Sequence, residues 1–290
     1  MSAWEDRYVE VDGISTHYLE AGSGRPVVLL HAGEFGGAAE FSWEATIPAL
    51  ATRYRVIAPD WLGFGHTDKV HDFLSGGRRR LKHMAAFLRT LEVESAAFVG
   101  NSMGGTLLGK AIAADPLVLP ASVAVIVSGG GFASDNAARR TLLEYDCTVE
   151  GMRKVLDVLF YDKRWPEDDE YVARRHAMSV LPGAWECSAA ARLRSPVAPE
   201  RSDYGVPDTT PWEQVACPTL FMCGGMDVLK EPGFAAELAA RVPSGSHVEY
   251  PDCGHAPNIE RARQFNDDVL EFFSRCYPPE QIPDPATVAS

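Results

Sequence analysis

Apolar and polar side chains alternate near the start of the chain, in "YVEVDG" and "STHYLEAG" on either side of Gly13. This alternation predicts an antiparallel hairpin. Four later runs are almost continuously apolar, as buried strands of a parallel sheet are: "RPVVLLHAG", "YRVIAPDWLG", "SAAFVGNS" and "ASVAVIVSGG". Helical patterns lie between these runs, at about residues 43–52, 77–92 and 103–114. The alternation of strands and helices predicts a parallel sheet covered by helices on both faces.

The alternation of strands and helices breaks after "VSGGGF". Residues from about 133 to 212 form helical patterns without a good strand, which indicates an inserted helical cap. The strand–helix pattern then resumes with "PTLFMCGG", a helix at about 232–241, "SHVEYP" and a helix at about 259–275. We therefore predict an α/β protein with a mostly parallel, eight-stranded sheet flanked by helices. Its parts are a core at 1–132 and 213–276, a cap at 133–212 and an extended or disordered Pro-rich tail at 277–290.

Composition narrows the classes of partner. The chain has 290 residues, 46% of them apolar, and a net charge of −13, which disfavours binding to nucleic acid or to an anionic membrane surface. Its six cysteines form no C-x-x-C pair, which argues against a zinc site and a thioredoxin-like site. Their scattered positions suggest a reducing cytosol more than a disulfide framework. The charged N-terminal segment "MSAWEDRYVEVDG" is unlike a signal peptide, and no run approaches the ~20 apolar residues of a membrane span. We expect a cytoplasmic protein that binds a small molecule and needs no metal.

A serine flanked by glycines follows one of the apolar runs, in "FVGNSMGG". Gly100 and Gly104 lie two residues from Ser102 on either side, and a helical pattern follows. A strand, a sharp turn and a helix around G-x-S-x-G place a nucleophilic serine at the edge of a sheet, with glycines where a Cβ would clash. The alternative is an ordinary turn, but the strand before it and the helix after it favour the nucleophile.

A serine nucleophile needs a base, and the base needs an acid that orients it. Only two histidines lie late in the chain, and His255 follows the last strand whereas His247 lies inside it, so His255 is the candidate base. Asp227 follows the strand "PTLFMCGG" and is the candidate acid. The alternative acid is Asp252, but an aspartate so close to the histidine in sequence more often orders its own turn.

The developing negative charge on a substrate needs two backbone N–H donors. One is expected from Met103, directly after the serine, and the other from the glycine-rich loop "HAGEFGG", where the candidates are Ala32 and Gly33. This loop lacks the Gly-Lys-Ser/Thr of a phosphate-binding loop.

A second loop with regular glycines, "DWLGFGHTD", is interpreted as structural. Its carboxylates, Asp60 and Asp68, are expected to accept hydrogen bonds from the backbone, and His66 is expected to have a structural role.

Together these residues resemble the α/β-hydrolase superfamily over nearly the whole chain. The closer resemblance is to the meta-cleavage product hydrolases, which break carbon–carbon bonds in ring-fission products of aromatic compounds. It is carried by "YLEAGSGRPVVLLHAG", "YRVIAPDWLGFGHTDK", "VGNSMGG", "YDCTVEGMRKVL" and "DCGH". The resemblance implies a cofactor-free serine hydrolase acting on a 2-hydroxy-6-oxohexa-2,4-dienoate, in an aromatic degradation pathway, and a possible homodimer.

The resemblance also implies substrate-binding residues. The asparagine before the serine positions substrate in this family and corresponds to Asn101. A cap arginine meets the dienoate end and corresponds to Arg175, with Arg174 as the alternative. For each arginine the simpler interpretation is a solvated charge on a helix face.

The chain departs from the family pattern at several positions near the expected site. Ala32 replaces a family glycine and is followed by the acidic Glu34 two residues later. Ser42 stands where the family has an asparagine, and Ala256 replaces a tryptophan after the histidine. The smaller Ala256 suggests a substrate with a different or bulkier acyl end.

Other functions remain open on the sequence alone. A carboxylesterase or lactonase would use the same triad without needing a cap arginine, and a ligand-binding receptor on this fold would bind without turnover. Dehalogenase and epoxide hydrolase activities require an aspartate where Ser102 stands. The aromatic cap residues Phe132, Trp165 and Trp185 are candidates either for the acyl pocket or for ordinary cap packing.

Overall fold

The computed structural model describes residues 3–73, 76–190 and 205–280. A single sheet of eight strands runs through the described chain in the order β1-β2-β4-β3-β5-β6-β7-β8. The pairs β1–β2 and β2–β4 are antiparallel and all the others are parallel, as predicted. The strands are β1 (Glu5–Val11), β2 (Ile14–Ala21), β3 (Pro26–Leu30), β4 (Arg55–Pro59), β5 (Ala96–Asn101), β6 (Ala121–Val127), β7 (Thr219–Gly224) and β8 (Gly245–Tyr250).

The central strands are buried on both faces, which explains their continuous apolar runs. All six residues of β5 and of β7 are buried. Alternate side chains of β5 enter two separate hydrophobic clusters, with Phe98 on one face of the sheet and Val99 on the other. The sheet is therefore the middle layer of three, with helices on both sides.

The core helices lie where the sequence indicates, but two predicted helices are each divided in two, at about 43–52 and at about 259–275. The predicted helix at about 43–52 is two short helices, α1 (Ala39–Trp43) and α2 (Thr46–Leu50). Pro48 lies in the first turn of α2, where its missing N–H is tolerated but where a helix continuing from α1 would be broken. The next helices are α3 (Gly76–Thr90) and α4 (Met103–Ile112).

The described part of the segment between β6 and β7 contains helices joined by loops, and no strand. Its helices are α5 (Ala137–Leu143), α6 (Val149–Leu159), α7 (Arg164–Glu167), α8 (Asp169–Ser179) and α9 (Ala184–Ala190), and a short 3-10 helix at Trp212–Gln214 precedes β7. These helices bury a third cluster, which also contains Phe35 and Ala256 from loops of the core. The cap therefore packs directly on the carboxyl edge of the sheet.

The end of the core contains α10 (Phe234–Arg241), α11 (Pro257–Glu260) and α12 (Ala262–Cys276). Tyr277, the first residue of the predicted tail, is 1% exposed and packs on the core. Its hydroxyl donates to the Pro26 carbonyl at 3.0 Å and the Arg25 guanidinium covers its ring at 3.6 Å. The rest of the predicted tail from residue 281 onward lies outside the described residues.

Candidate active site

The turn between β5 and α4 holds Ser102 in a rare backbone conformation. Its φ of 52° and ψ of −111° are strongly disfavoured for a residue with a side chain. The turn is also very tight, because a Cβ on Gly104 would lie 2.2 Å from the Leu30 carbonyl oxygen, and one on Gly100 would lie 2.7 Å from the carbonyl carbon of Gly104. The two glycines therefore let α4 approach both strands closely, and the serine side chain is held at the sheet edge.

Three predicted side chains form one chain of hydrogen bonds. The Ser102 Oγ lies 2.7 Å from His255 Nε2, and His255 Nδ1 lies 2.7 Å from Asp227 Oδ2. The other Asp227 oxygen accepts the backbone N–H of Leu229 at 2.9 Å. Burial opposes the ionisation of Asp227, but the electrostatic attraction of the His255 ring and its hydrogen bond outweigh burial and lower the pKa of the carboxyl. An ionised Asp227 keeps the proton of the neutral imidazole on Nδ1 and leaves Nε2 as the acceptor for the serine proton.

The histidine loop is bonded to the cap as well as to the core. The His255 N–H donates to the carbonyl of Leu159, at the end of α6, over 2.8 Å. The buried Glu260 carboxylate accepts the N–H of Gly254 at 2.7 Å and that of Asp162, in the cap, at 2.9 Å. The position of the imidazole therefore depends on contacts with the cap.

The glycine-rich loop after β3 is oriented by His31. Its Nε2 accepts the backbone N–H of Trp61 at 3.0 Å, so the proton lies on Nδ1, which donates to the Ala32 carbonyl at 2.6 Å. Complete burial lowers the pKa of His31 and favours this neutral form. Because a trans peptide points its N–H away from its carbonyl, the Gly33 N–H is directed opposite to the His31 ring. A Cβ on Gly33 would lie 2.5 Å from the Met103 sulfur, so this loop touches the residue after the serine.

The two candidate arginines of α8 have different environments. Arg175 is fully buried, and its guanidinium bonds the Glu34 carboxylate and, at 3.2 Å, the Tyr171 hydroxyl. Arg174 is 43% exposed and lies 3.7 Å from the exposed Glu44. Burial opposes the charge on Arg175, but Tyr171 and Glu34 outweigh it and raise the pKa of the guanidinium. Arg175 therefore bonds a residue of the loop after β3, whereas Arg174 is paired with Glu44 of the core.

The remaining predicted substrate residues are buried near this edge of the sheet. Asn101 ends β5, and its side-chain amide lies 3.5 Å from the Val127 carbonyl, a weak hydrogen bond. The Ser42 carbonyl accepts the side-chain amide of Asn258 at 2.7 Å. Ala256 belongs to the cluster beneath the cap.

Aromatic residues of the cap also reach the loop after β3. Trp185 stacks on Phe35 with a 15° angle between the rings and 6.4 Å between their centres. Trp165 packs instead on Tyr171, at 4.9 Å, and Phe132 is 37% exposed. Of these three, Trp185 therefore has the ring contact with the loop that follows β3.

His247 and Asp252, the alternative base and acid, do not take part in the hydrogen-bond chain to Ser102. His247 lies within β8, and the Asp252 side chain is exposed and has no bond to His255 in the described part of the chain. The loop after β4 is ordered by its own carboxylates, as predicted. Asp60 accepts the His66 N–H at 2.9 Å and the His17 ring at 2.7 Å, while Asp68 accepts the Ser15 N–H at 2.8 Å.

Sequence reasoning missed three residues that the structure brings to the site. In the sequence Glu34 is only a departure from the family pattern, and nothing in its spacing points to Arg175, which lies 141 residues away. His31 and Glu260 were not singled out. The available signal for Glu260 is its position five residues after His255, at the end of the short helix that follows the histidine loop.

Two classes of feature are absent from the described ranges. Within residues 3–73, 76–190 and 205–280, no three His, Cys, Asp or Glu side chains are grouped so that they could hold a metal ion. No helix in those ranges is long and apolar enough to cross a membrane.

Many known proteins are similar to this chain. Residues 27–268 match the family model described as the alpha/beta hydrolase family. A 2-hydroxy-6-oxo-6-(2'-aminophenyl)hexa-2,4-dienoic acid hydrolase of Metapseudomonas resinovorans is 32% identical, over 94% of this chain and 92% of its own. A 2-hydroxy-6-oxo-2,4-heptadienoate hydrolase of Pseudomonas putida F1 is also 32% identical, over 92% and 96%.

Solved structures of hydrolases also superpose on this chain. The meta-cleavage product hydrolase CumD of Pseudomonas fluorescens IP01 superposes with a TM-score of 0.80 at 28% identity, over 93% of this chain and 97% of its own. The serine hydrolase CarC, involved in carbazole degradation, superposes with a TM-score of 0.77 at 29% identity, over 94% and 99%. The chain therefore belongs to the α/β-hydrolase family, in the branch that contains the meta-cleavage product hydrolases.

Proposed function

We propose that this protein is a serine-dependent hydrolase that cleaves the carbon–carbon bond of a 2-hydroxy-6-oxohexa-2,4-dienoate. The observation that carries the proposal is the continuous hydrogen-bond chain from Ser102 through His255 to Asp227, at 2.7 Å for each step. The resemblance to dienoate hydrolases supports the choice of substrate class.

The proposed reaction begins with conversion of the dienol to its keto form, which makes C5 able to leave with the electron pair of the C5–C6 bond. His255 takes the proton of Ser102 as the Oγ attacks the C6 ketone. The backbone N–H groups of Gly33 and Met103 stabilise the oxyanion, while Asp227 stabilises the imidazolium. The C5–C6 bond then breaks, and the dienolate takes the proton that His255 received from Ser102, which returns the imidazole to its neutral form. Water, deprotonated by His255, hydrolyses the acyl ester on Ser102 and releases the acid.

The orientation of the peptide after Ala32 supports Gly33 over Ala32 as the donor. The Ala32 carbonyl is bonded to His31, so the next N–H faces the other way. Met103 is the first residue of α4, and its N–H is among the four that a helix leaves without an internal partner.

The burial of Arg175 beside the loop after β3 supports it as the cation for the dienoate carboxylate. Replacing it with glutamine removes a charge-assisted contact made by bound substrate, so we expect Arg175→Gln to raise KM for a dienoate at least about tenfold. Arg174→Gln, at the exposed neighbouring position, is the matched control and should leave KM within about twofold. Equal effects of the two substitutions would contradict the assignment.

The decisive test is the decay of the visible absorbance of 2-hydroxy-6-oxo-6-phenylhexa-2,4-dienoate, measured beside hydrolysis of a nitrophenyl ester. Wild-type protein should consume the dienoate rapidly and the ester slowly, and Ser102→Ala should slow turnover at least ~10³-fold while the protein stays folded and binds substrate. Ester cleavage without dienoate decay would instead indicate an esterase or lactonase, and tight binding without turnover of either would indicate a receptor.

We also propose that the protein works in the cytoplasm, as a homodimer. All six cysteines are free thiols, which fits a reducing compartment. The dimer rests on the family resemblance alone, and sedimentation equilibrium tests it by giving either one or two copies of the 31.6 kDa chain.

A further inference from the structure

The charge of the proposed carboxylate-binding end of the site is set by a buried ion pair. The side chains of Arg175 and Glu34 are only 1% and 10% exposed, and they are in direct contact. The Phe41 ring lies 5.1 Å from the guanidinium carbon and limits the access of water to it. Because the two charges cancel, this end of the site has no net charge from the pair.

The guanidinium still has an unused donor. Its Nε has no hydrogen-bond partner among the described residues, while one Nη group donates to Glu34 and the other to Tyr171. A buried donor without an acceptor is unfavourable, so a ligand acceptor atom that reaches Nε gains a hydrogen bond whether or not the ligand is charged.

A ligand carboxylate at Arg175 would add a second anion to one that is already present. Like charges that share a buried site repel strongly, because the medium screens them poorly. An uncharged acceptor, such as an ester or ketone oxygen, would gain the same hydrogen bond without that repulsion.

We propose that Glu34 is a specificity-determining residue that lowers the affinity of the site for carboxylate ligands relative to uncharged ones. The substrate class then includes esters or amides of the dienoate, which a site with a free arginine would discriminate against. The inference rests on the proposed function only in placing the charged end of the ligand at Arg175.

Equilibrium binding to the Ser102→Ala protein tests this without turnover. The ligands are 2-hydroxy-6-oxo-6-phenylhexa-2,4-dienoate and its methyl ester, titrated by absorbance. Adding Glu34→Gln should lower the Kd of the dienoate at least about tenfold, or about 1.4 kcal/mol, and should change that of the methyl ester by less than about twofold. Glu44→Gln, which removes the exposed carboxylate beside Arg174, is the matched control and should change neither Kd.

An unchanged or higher dienoate Kd in Glu34→Gln, or an equal change for both ligands, would overturn the inference. Glu34→Gln leaves a buried arginine without its anion, so circular dichroism and thermal melting must first show that it folds. If it does not, the double variant Glu34→Gln with Arg175→Gln removes both charges, and it should bind the dienoate and its ester equally well. A preference for the dienoate in that variant would also overturn the inference.

The same titrations separate the two proposals. If wild-type protein does not consume the dienoate, the proposed reaction fails, yet a Glu34-dependent difference between the two ligands would still support the inference. If the dienoate is consumed but Glu34→Gln affects both ligands alike, only the inference fails.

Discussion

A methyl group added at Gly104 should disable the site without touching any reacting side chain. An alanine Cβ there would lie 2.2 Å from the Leu30 carbonyl oxygen and 2.7 Å from that of His31, whereas real Cβ atoms essentially never approach closer than 3.0 Å. Both neighbours are backbone atoms, so relief requires α4 and the end of β3 to separate by about 0.8 Å at the tighter contact.

The separation has consequences for both stability and rate. Overpacking of this kind costs ~1–3 kcal/mol, partly offset by the ~1 kcal/mol by which alanine exceeds glycine in helix propensity. The loop after β3 moves with the strand, and a shift of about 1 Å in an active site lowers the rate by about 10². We therefore expect Gly104→Ala to lower Tm by a few degrees and kcat by about 10²-fold.

Thermal melting and nitrophenyl ester hydrolysis measure the two effects on one preparation. Gly77→Ala is the matched control, because among the described residues a Cβ there would meet the flexible end of Leu107, at 3.2 Å, and no backbone atom, so both Tm and kcat should stay near the wild-type values. A Gly104→Ala protein with wild-type kcat would refute the argument that this close approach positions the oxyanion loop, even if its Tm fell.

Two further predictions concern the buried carboxylates. Asp227→Asn should lower kcat by about 10⁴-fold, because an amide cannot stabilise the His255 imidazolium; Asp252→Asn serves as the control in the same assay and should have no effect. Burial raises the pKa of Asp60, but the hydrogen bond from His17 and its other partners lower it to about 2, below the unfolded value of 3.8. This depressed pKa contributes roughly 2 kcal/mol of stability that is present above about pH 4 and is lost as the pH falls towards 2. The free energy of unfolding measured in urea should therefore fall more steeply between about pH 4 and 2 in wild type than in Asp60→Asn. An equal fall in the two proteins would contradict this role of Asp60.

The sequence alone was enough to predict the sheet and the residues that meet at its edge. Both follow from the order and direction of the strands. The carboxyl ends of parallel strands lie at one edge, so residues that follow β5, β7 and β8 meet there whatever the intervening sequence. This is why Ser102, Asp227 and His255 could be named from strand ends and chain order.

The rest of the site depends on contacts that no local pattern encodes. The pairing of Glu34 with Arg175 requires the cap to lie over one particular loop, and its placement follows from packing across more than a hundred residues. Similarly, choosing between Ala32 and Gly33 as the oxyanion donor requires knowing which tautomer His31 adopts. That tautomer depends on a hydrogen bond from the Trp61 N–H. Both contacts join residues that are far apart in the chain, so the spacing of residues in the sequence does not predict them.

The bonds between the histidine loop and the cap limit how this protein can be recombined with its relatives. A chimaera that exchanges only the cap would keep Glu260 and His255 but lose the matched backbone around Leu159 and Asp162. Such a graft would keep all three triad residues and still misplace the imidazole. The practical unit of exchange is therefore the cap together with the segment from Gly254 to Glu260, although the two are separated in the chain by β7 and β8.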